Sequence, residues 1–251
     1  FTCVGGAIGF GYFQNNFWVG WETERSVNNL NAVFPLLQAS ANSMSLVTIS
    51  GDTTYVRNIA VGKTALQTGV VGFSFSSAVH CCIENASATS LETGYTYTGV
   101  TANNMALNLY ADSCTNGVLS LVTVGGNKFV GCVARNCTSI GFGLAGYNDS
   151  IMHSIAYGGV GSSADGFRFT ANGVLCMNCT AYGNGQHGFL IGSAIGFRGR
   201  WLINCVSTGN AGKQFHQQDL SAEIANRVIS CAAKADGTGT DDVPAVEKVG
   251  F

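Results

Sequence analysis

The stretch NCTAYGNGQHGF at 178–189 has a second copy, NCVSTGNAGKQF, at 204–215, with Asn, Cys, Gly, Asn and Phe in step. A repeat of this length constrains the fold more than any local propensity. A unit of two dozen residues cannot bury an apolar face alone, so it must stack on copies of itself. Anchoring on the Cys of Asn-Cys and walking in both directions gives Ile59, Cys81, Leu109, Cys132, Ser154, Cys179, Cys205 and Cys231, at intervals of 22 to 28 residues. Two positions further on, Val61, Ile83, Ala111, Ala134, Ala156, Ala181, Ser207 and Ala233 form a small or apolar column. A period of two marks a strand with that face inward.

A third column, Phe73, Tyr95, Val118, Phe142, Phe167, Phe189 and Phe215, usually has Gly just before it and marks a second strand. Between the two strands Cys114, Cys137, Asn184 and Asn210 fall in a turn, where an Asn side chain can bond neighbouring backbone. The pattern predicts an all-β chain, a single-stranded right-handed parallel β-helix of at least eight coils, the hand following the rule for parallel crossovers. The coils are expected over 49–235, with irregular coils or a cap over 1–48 and a polar exit segment over 236–251.

Composition agrees. Thirty-four Gly and only two Pro favour strands and tight turns over helices. Charged residues make up 10% of the chain, so much of its surface is uncharged, and self-association is the plain expectation. With a net charge of −2 and no basic cluster, nucleic acid is not an expected partner. No stretch of 18 uninterrupted apolar residues is present, so no membrane-spanning helix is expected. The chain opens on Phe1 rather than Met, as a processed product or a fragment would.

Ten cysteines include a C-x-x-C at Cys176 and Cys179 and a C-x4-C at Cys132 and Cys137. A structural zinc site would need two such pairs brought together. Because Cys132, Cys179, Cys205 and Cys231 share a column with Leu, Ile and Ser, they read as interior fillers. No metal or cofactor is expected. Cys114 and Cys137 should stack in neighbouring coils within reach of a disulfide.

The phrases VRNIAV, FVGCVARNCTSIGFGL, VLCMNCTAYGNGQHGFLIG and WLINCVSTGN resemble the coils of the pectate-lyase-like right-handed β-helix superfamily, most of all bacteriophage tailspikes and related polysaccharide-degrading proteins. The resemblance covers about three quarters of the chain. It implies a polysaccharide partner, a homotrimer of side-by-side helices, and a place outside the cell or on a virion surface. The superfamily also holds non-catalytic adhesins and fibres, so activity does not follow from fold.

Chemistry must lie on outward columns. Three residues past each anchor stand Gly62, Glu84, Asp112, Arg135, Tyr157, Tyr182, Thr208 and Lys234. Glu84 and Asp112 are the catalytic candidates, carboxylates on consecutive coils on the order of 5 Å apart, as in retaining glycoside hydrolysis. Arg135, Tyr157 and Tyr182 would bind the sugar, the tyrosines offering their ring faces. The competing reading is an acidic pair neutralised by Arg135. An alternative catalytic group is Asp165, His187 and Lys213, with Asp165 orienting His187 as general base and Lys213 stabilising an anion during β-elimination. Against it stands an ordinary solvated turn.

Two functions are carried forward. The first is a tailspike-like protein that binds a cell-surface polysaccharide, with cleavage by a hydrolase or lyase mechanism left open. The second is a non-enzymatic extracellular subunit of a filament, sheath or adhesin, suggested by the low charge and by sheet edges that invite pairing.

Overall fold

The computed structural model describes residues 2–4, 7–8, 18–22, 32–35, 44–122, 124–192, 199–217 and 226–234. Among the described residues there is no helix. The chain winds as a parallel β-helix with three sheets, each coil adding one rung to each sheet. In the first sheet the inward residues stack as Val56, Ile83, Ala106, Phe129, Ile151, Cys176, Leu202 and Val228. In the second they are Val61, Ala88, Ala111, Ala134, Ala156, Ala181, Ser207 and Ala233. In the third they are Val47, Phe73, Tyr95, Val118, Phe142, Phe167, Phe189 and Phe215.

The repeated Asn-Cys and Gly-Asn are corners. Asn178 and Asn204 have φ of 54° and 51°, and each delivers an inward Cys to the next sheet. Asn is among the few side chains that enter this left-handed region at low cost. Gly183 and Gly209 turn the following corner at φ of 62° and 64°. Each is followed by a buried Asn: Asn184 donates its backbone N–H (3.0 Å) and its Nδ2 (2.8 Å) to Asn210 Oδ1 one coil on. That bond satisfies backbone groups which the bend removes from the ladder.

A third corner of the same design precedes the first sheet and corrects one register. There His80 and Asn103 take positive φ, and Cys81 and Asn104 follow as the inward residues. The true partner of Leu109 one coil back is therefore Ala86, and Ala88 rather than Ile83 stacks on Ala111. Left-handed residue then inward residue is the signature of more than one corner, and sequence spacing alone does not say which corner it marks.

The third sheet holds the largest core side chains. Phe142, Phe167, Phe189 and Phe215 are fully buried and stack with centroids 5.1, 4.8 and 5.0 Å apart. Each buried ring contributes roughly 2 kcal/mol through lost apolar exposure. The glycines before them have a steric cause: a Cβ on Gly141 would lie 2.5 Å from the Gly166 carbonyl oxygen and 3.0 Å from the Ala156 Cβ. The glycine column and the alanine column thus require each other.

Among the described residues, eight buried cysteines and the half-buried Cys82 are free thiols. Burial pushes the thiol of Cys132 up to about 12 and that of Cys114 up to about 11, as for inert packing groups. Cys114 and Cys137 stack as expected but are not bonded.

At the N-terminal side, Thr2–Val4 adds in parallel to Met44–Asp52, whereas Trp18–Glu22 runs antiparallel to both Ala32–Pro35 and Tyr55–Val79. Residues 236–251, where the exit segment is expected, lie outside the described residues, as does most of 1–43 within the expected cap.

Candidate functional site

Glu84 does not stand over Asp112. The strand Cys82–Glu84 belongs to the first sheet, where Glu84 lies between Arg57 and Leu107 and accepts the Tyr55 hydroxyl. Asp112 is in the second sheet, between Thr89 and Arg135. The expected carboxylate pair is split between two sheets, which meet at the corner formed by Asn85 and Asn108.

The rest of that column is assembled as the spacing predicted, but its groups are engaged with one another. Arg135 donates from Nε (3.1 Å) and Nη2 to the two oxygens of Asp112, which also accepts from Ser113 Oγ (3.1 Å) and Asn136 Nδ2 (3.2 Å). Burial alone would raise the Asp112 carboxyl, but these bonds outweigh it and hold its pKa below the usual range. Tyr157 and Tyr182 stack on each other, centroids 5.0 Å apart and rings 4° from parallel. Stacking along the ladder turns ring edges to solvent and occupies the face between them. A sugar ring cannot enter a gap of that width.

The second outward group lies on the third sheet, around an open groove of about 550 Å³. Its floor is the column one residue past the aromatics: Leu119, Gly143, Arg168, Leu190 and His216. One wall carries Ile140 and His187, and the other carries Leu121, Ala145 and Thr170.

Asp165 is 1% exposed and lies beneath this floor. Its Oδ2 accepts from Arg168 Nε (2.8 Å) and Nη2 (2.6 Å), while its Oδ1 accepts the His187 backbone N–H (3.2 Å). Asp165 and His187 are thus brought together, though Asp165 holds the backbone rather than the imidazole. The ring is held from the other side, where the Lys213 backbone N–H donates to His187 Nδ1 at 3.0 Å. A backbone amide can only donate, so Nδ1 carries no proton and the neutral ring bears it on Nε2. In this state His187 offers a hydrogen-bond donor and not a base.

Burial first, then the positive charges of Lys213 and Arg168, lower the His187 pKa, against an opposing pull from Asp165. The His216 ring sits 4.5 Å from it, centroid to centroid, and its pKa is likewise lowered, by burial, then by His187 and Lys213. Two neutral imidazoles beside a guanidinium whose counter-ion is buried make a surface that donates to anions and can accept a proton.

Arg168 and His216 were not singled out by spacing. Both occupy the outward position after a core aromatic, the position that also holds Leu119 and Leu190. Reading that column would have found them. Among the described residues no cluster of three or more His, Cys, Asp or Glu side chains is placed to hold a metal ion.

No protein-family profile matches the chain, and no curated protein matches it. Among solved structures, it is similar to the A-module of the Azotobacter vinelandii mannuronan C-5 epimerase AlgE4, at 11% identity and a TM-score of 0.45 over 76% of this chain and 68% of that one. It is also similar to the pectate lyase Pel9A, at 14% identity and a TM-score of 0.37 over 85% of this chain and 70% of that one.

Proposed function

We propose that this β-helix is a tailspike-like protein that binds an acidic cell-surface polysaccharide along the groove of its third sheet. The observation that carries the reading is the convergence of Arg168, His187 and His216 on one open groove, with Asp165, the carboxylate that Arg168 pairs with, buried below. A polymer needs an open trough rather than a closed pocket, and a uronate needs a fixed cation. Arg168 pairs with the sugar carboxylate, and the Nε2–H of His187 donates to a ring or carboxylate oxygen.

Where the bound sugar reacts, the groove suits loss of the proton α to the carboxylate: Arg168 neutralises the developing charge and His216 receives the proton. In β-elimination that proton passes from carbon to His216, the C–O bond to the neighbouring sugar breaks with its electron pair, and the departing oxygen takes a proton from water. Calorimetry and product absorbance with a panel of acidic and neutral capsular polysaccharides test the proposal. Tight binding of an acidic member, lost at least tenfold in Arg168→Ala, is expected. If no acidic polysaccharide binds, or if Arg168→Ala binds unchanged, the groove is not the site.

A second reading, a non-enzymatic filament subunit, draws on the outward column Leu107, Val130, Met152, Met177, Ile203 and Ile229 of the first sheet. An apolar rib crossing six coils suits contact between copies. Electron microscopy separates the two: long fibres favour the filament, discrete particles the glycan receptor.

A further inference from the structure

The groove is divided by coil. On the coils carrying Asn116–Ser120 and Ile140–Leu144 its side chains are Leu119, Leu121, Ile140 and Ala145, whereas on the following coils they are mostly polar, Arg168, Thr170, Gln186, His187 and His216, with Leu190 between Arg168 and His216 on the floor. Leu119 stands two rungs from Arg168, with Gly143 between them. At one rung per ladder spacing that is roughly 10 Å. Gly143 keeps the floor low, because a Cβ there would lie 2.7 Å from Leu119 Cδ2. Leu121 is 54% exposed at the rim of the apolar half.

Resting on the groove reading, we infer that the acidic polysaccharide is O-acylated, its acyl methyl seated against Leu119, Leu121 and Ala145 while its carboxylate meets Arg168. A chain bearing only hydroxyls and carboxylates leaves the apolar half wet and gains nothing there. An ester adds a methyl without adding charge. Among the described residues lining the groove there is no carboxylate, and Asp165 is buried and held by Arg168, so an added neutral acyl group fits where a free cationic amine finds no partner. Burying one methyl corresponds to about a fourfold change in Kd.

The test is calorimetry with O-acetylated polygalacturonate and the same polymer after saponification. The acetylated polymer is expected to bind about fourfold tighter, Leu121→Ser to bring the two Kd values together, and Arg168→Gln to weaken both while keeping their ratio. Equal Kd values for the wild-type chain, or a ratio that survives Leu121→Ser, overturn the acyl seat and leave the anion site standing. If neither polymer binds, the groove reading falls and this inference with it. If the two bind alike and the chain sediments as a dimer that Leu121→Ser dissociates, the apolar half is a subunit contact and the acyl seat is wrong.

Discussion

The backbone N–H of Lys213 donates to Nδ1 of His187 at 3.0 Å, one coil to the next, and this bond exists only while that nitrogen is unprotonated. The His187 pKa is lowered in the folded chain, chiefly by burial. Between that lowered value and the ordinary pKa of about 6.5, the unfolded chain binds more protons than the native one, so stability rises with pH in this window. Acidification below about pH 6.5 is therefore expected to lower Tm. His187→Gln should flatten that dependence, as followed by circular dichroism melts across pH; an unchanged slope would place the acid-sensitive group elsewhere.

Asp149 presents the opposite sign. It follows Asn104 and Asn127 in one buried corner column, where Asn104 N–H donates to Asn127 Oδ1 (3.1 Å) and Asn127 N–H to Asp149 Oδ1 (2.9 Å). Its Oδ2 has no partner, and burial raises its pKa. A carboxyl raised in the native state favours folding below its unfolded pKa of about 3.9, and that contribution is lost as pH rises. Asp149→Asn, which extends the Asn ladder, should raise Tm by a few degrees at neutral pH. A lower Tm would mean that the ionised form is held by something beyond these contacts.

The close approach of Gly141 to the next coil gives a packing test. Gly141→Ala places a methyl against the Gly166 carbonyl and should cost about 2 kcal/mol or more in urea unfolding, since stacked coils have no slack in that direction. A variant as stable as the wild type would show that the coils can separate there.

The second-sheet column distinguishes structure from function. Asp112→Asn removes the ion pair with Arg135, which is 38% exposed, so only about 1 kcal/mol of stability should be lost. Neither Asp112→Asn nor Tyr182→Ala is expected to change glycan affinity in the calorimetric assay. A tenfold loss in either would move the site from the third sheet to the second.

How far these features were legible depends on which groups a coil repeats. The column from Phe73 to Phe215 stacks in register in every coil, because an inward side chain, aromatic in all but Val118 and preceded by Gly in all but Phe215, has one place in the cross-section. Cys81 misled because His80 turns a corner as Asn85 does, and both are followed by a buried residue. That slip moved Glu84 to the wrong sheet. Asp165 and His187 lie side by side, but hydrogen-bond direction is set by backbone that spacing does not reveal: Asp165 accepts the His187 backbone N–H, and the Lys213 backbone N–H holds the imidazole. Arg168 and His216 were overlooked because their column alternates with Leu119 and Leu190, so no single chemistry repeats along it.

The left-handed corners recur at the same three places in successive turns and bond each turn to its neighbour in the same way. Ala111 and Ala134 are equivalent points on successive turns, so excising 112–134 would join two places of identical geometry and leave every remaining stack in phase. Length can thus change by whole turns, through duplication or loss of a genetic segment, without redesigning the interior. A lineage built this way could lengthen or shorten its trough to suit the repeat of whatever polymer it meets.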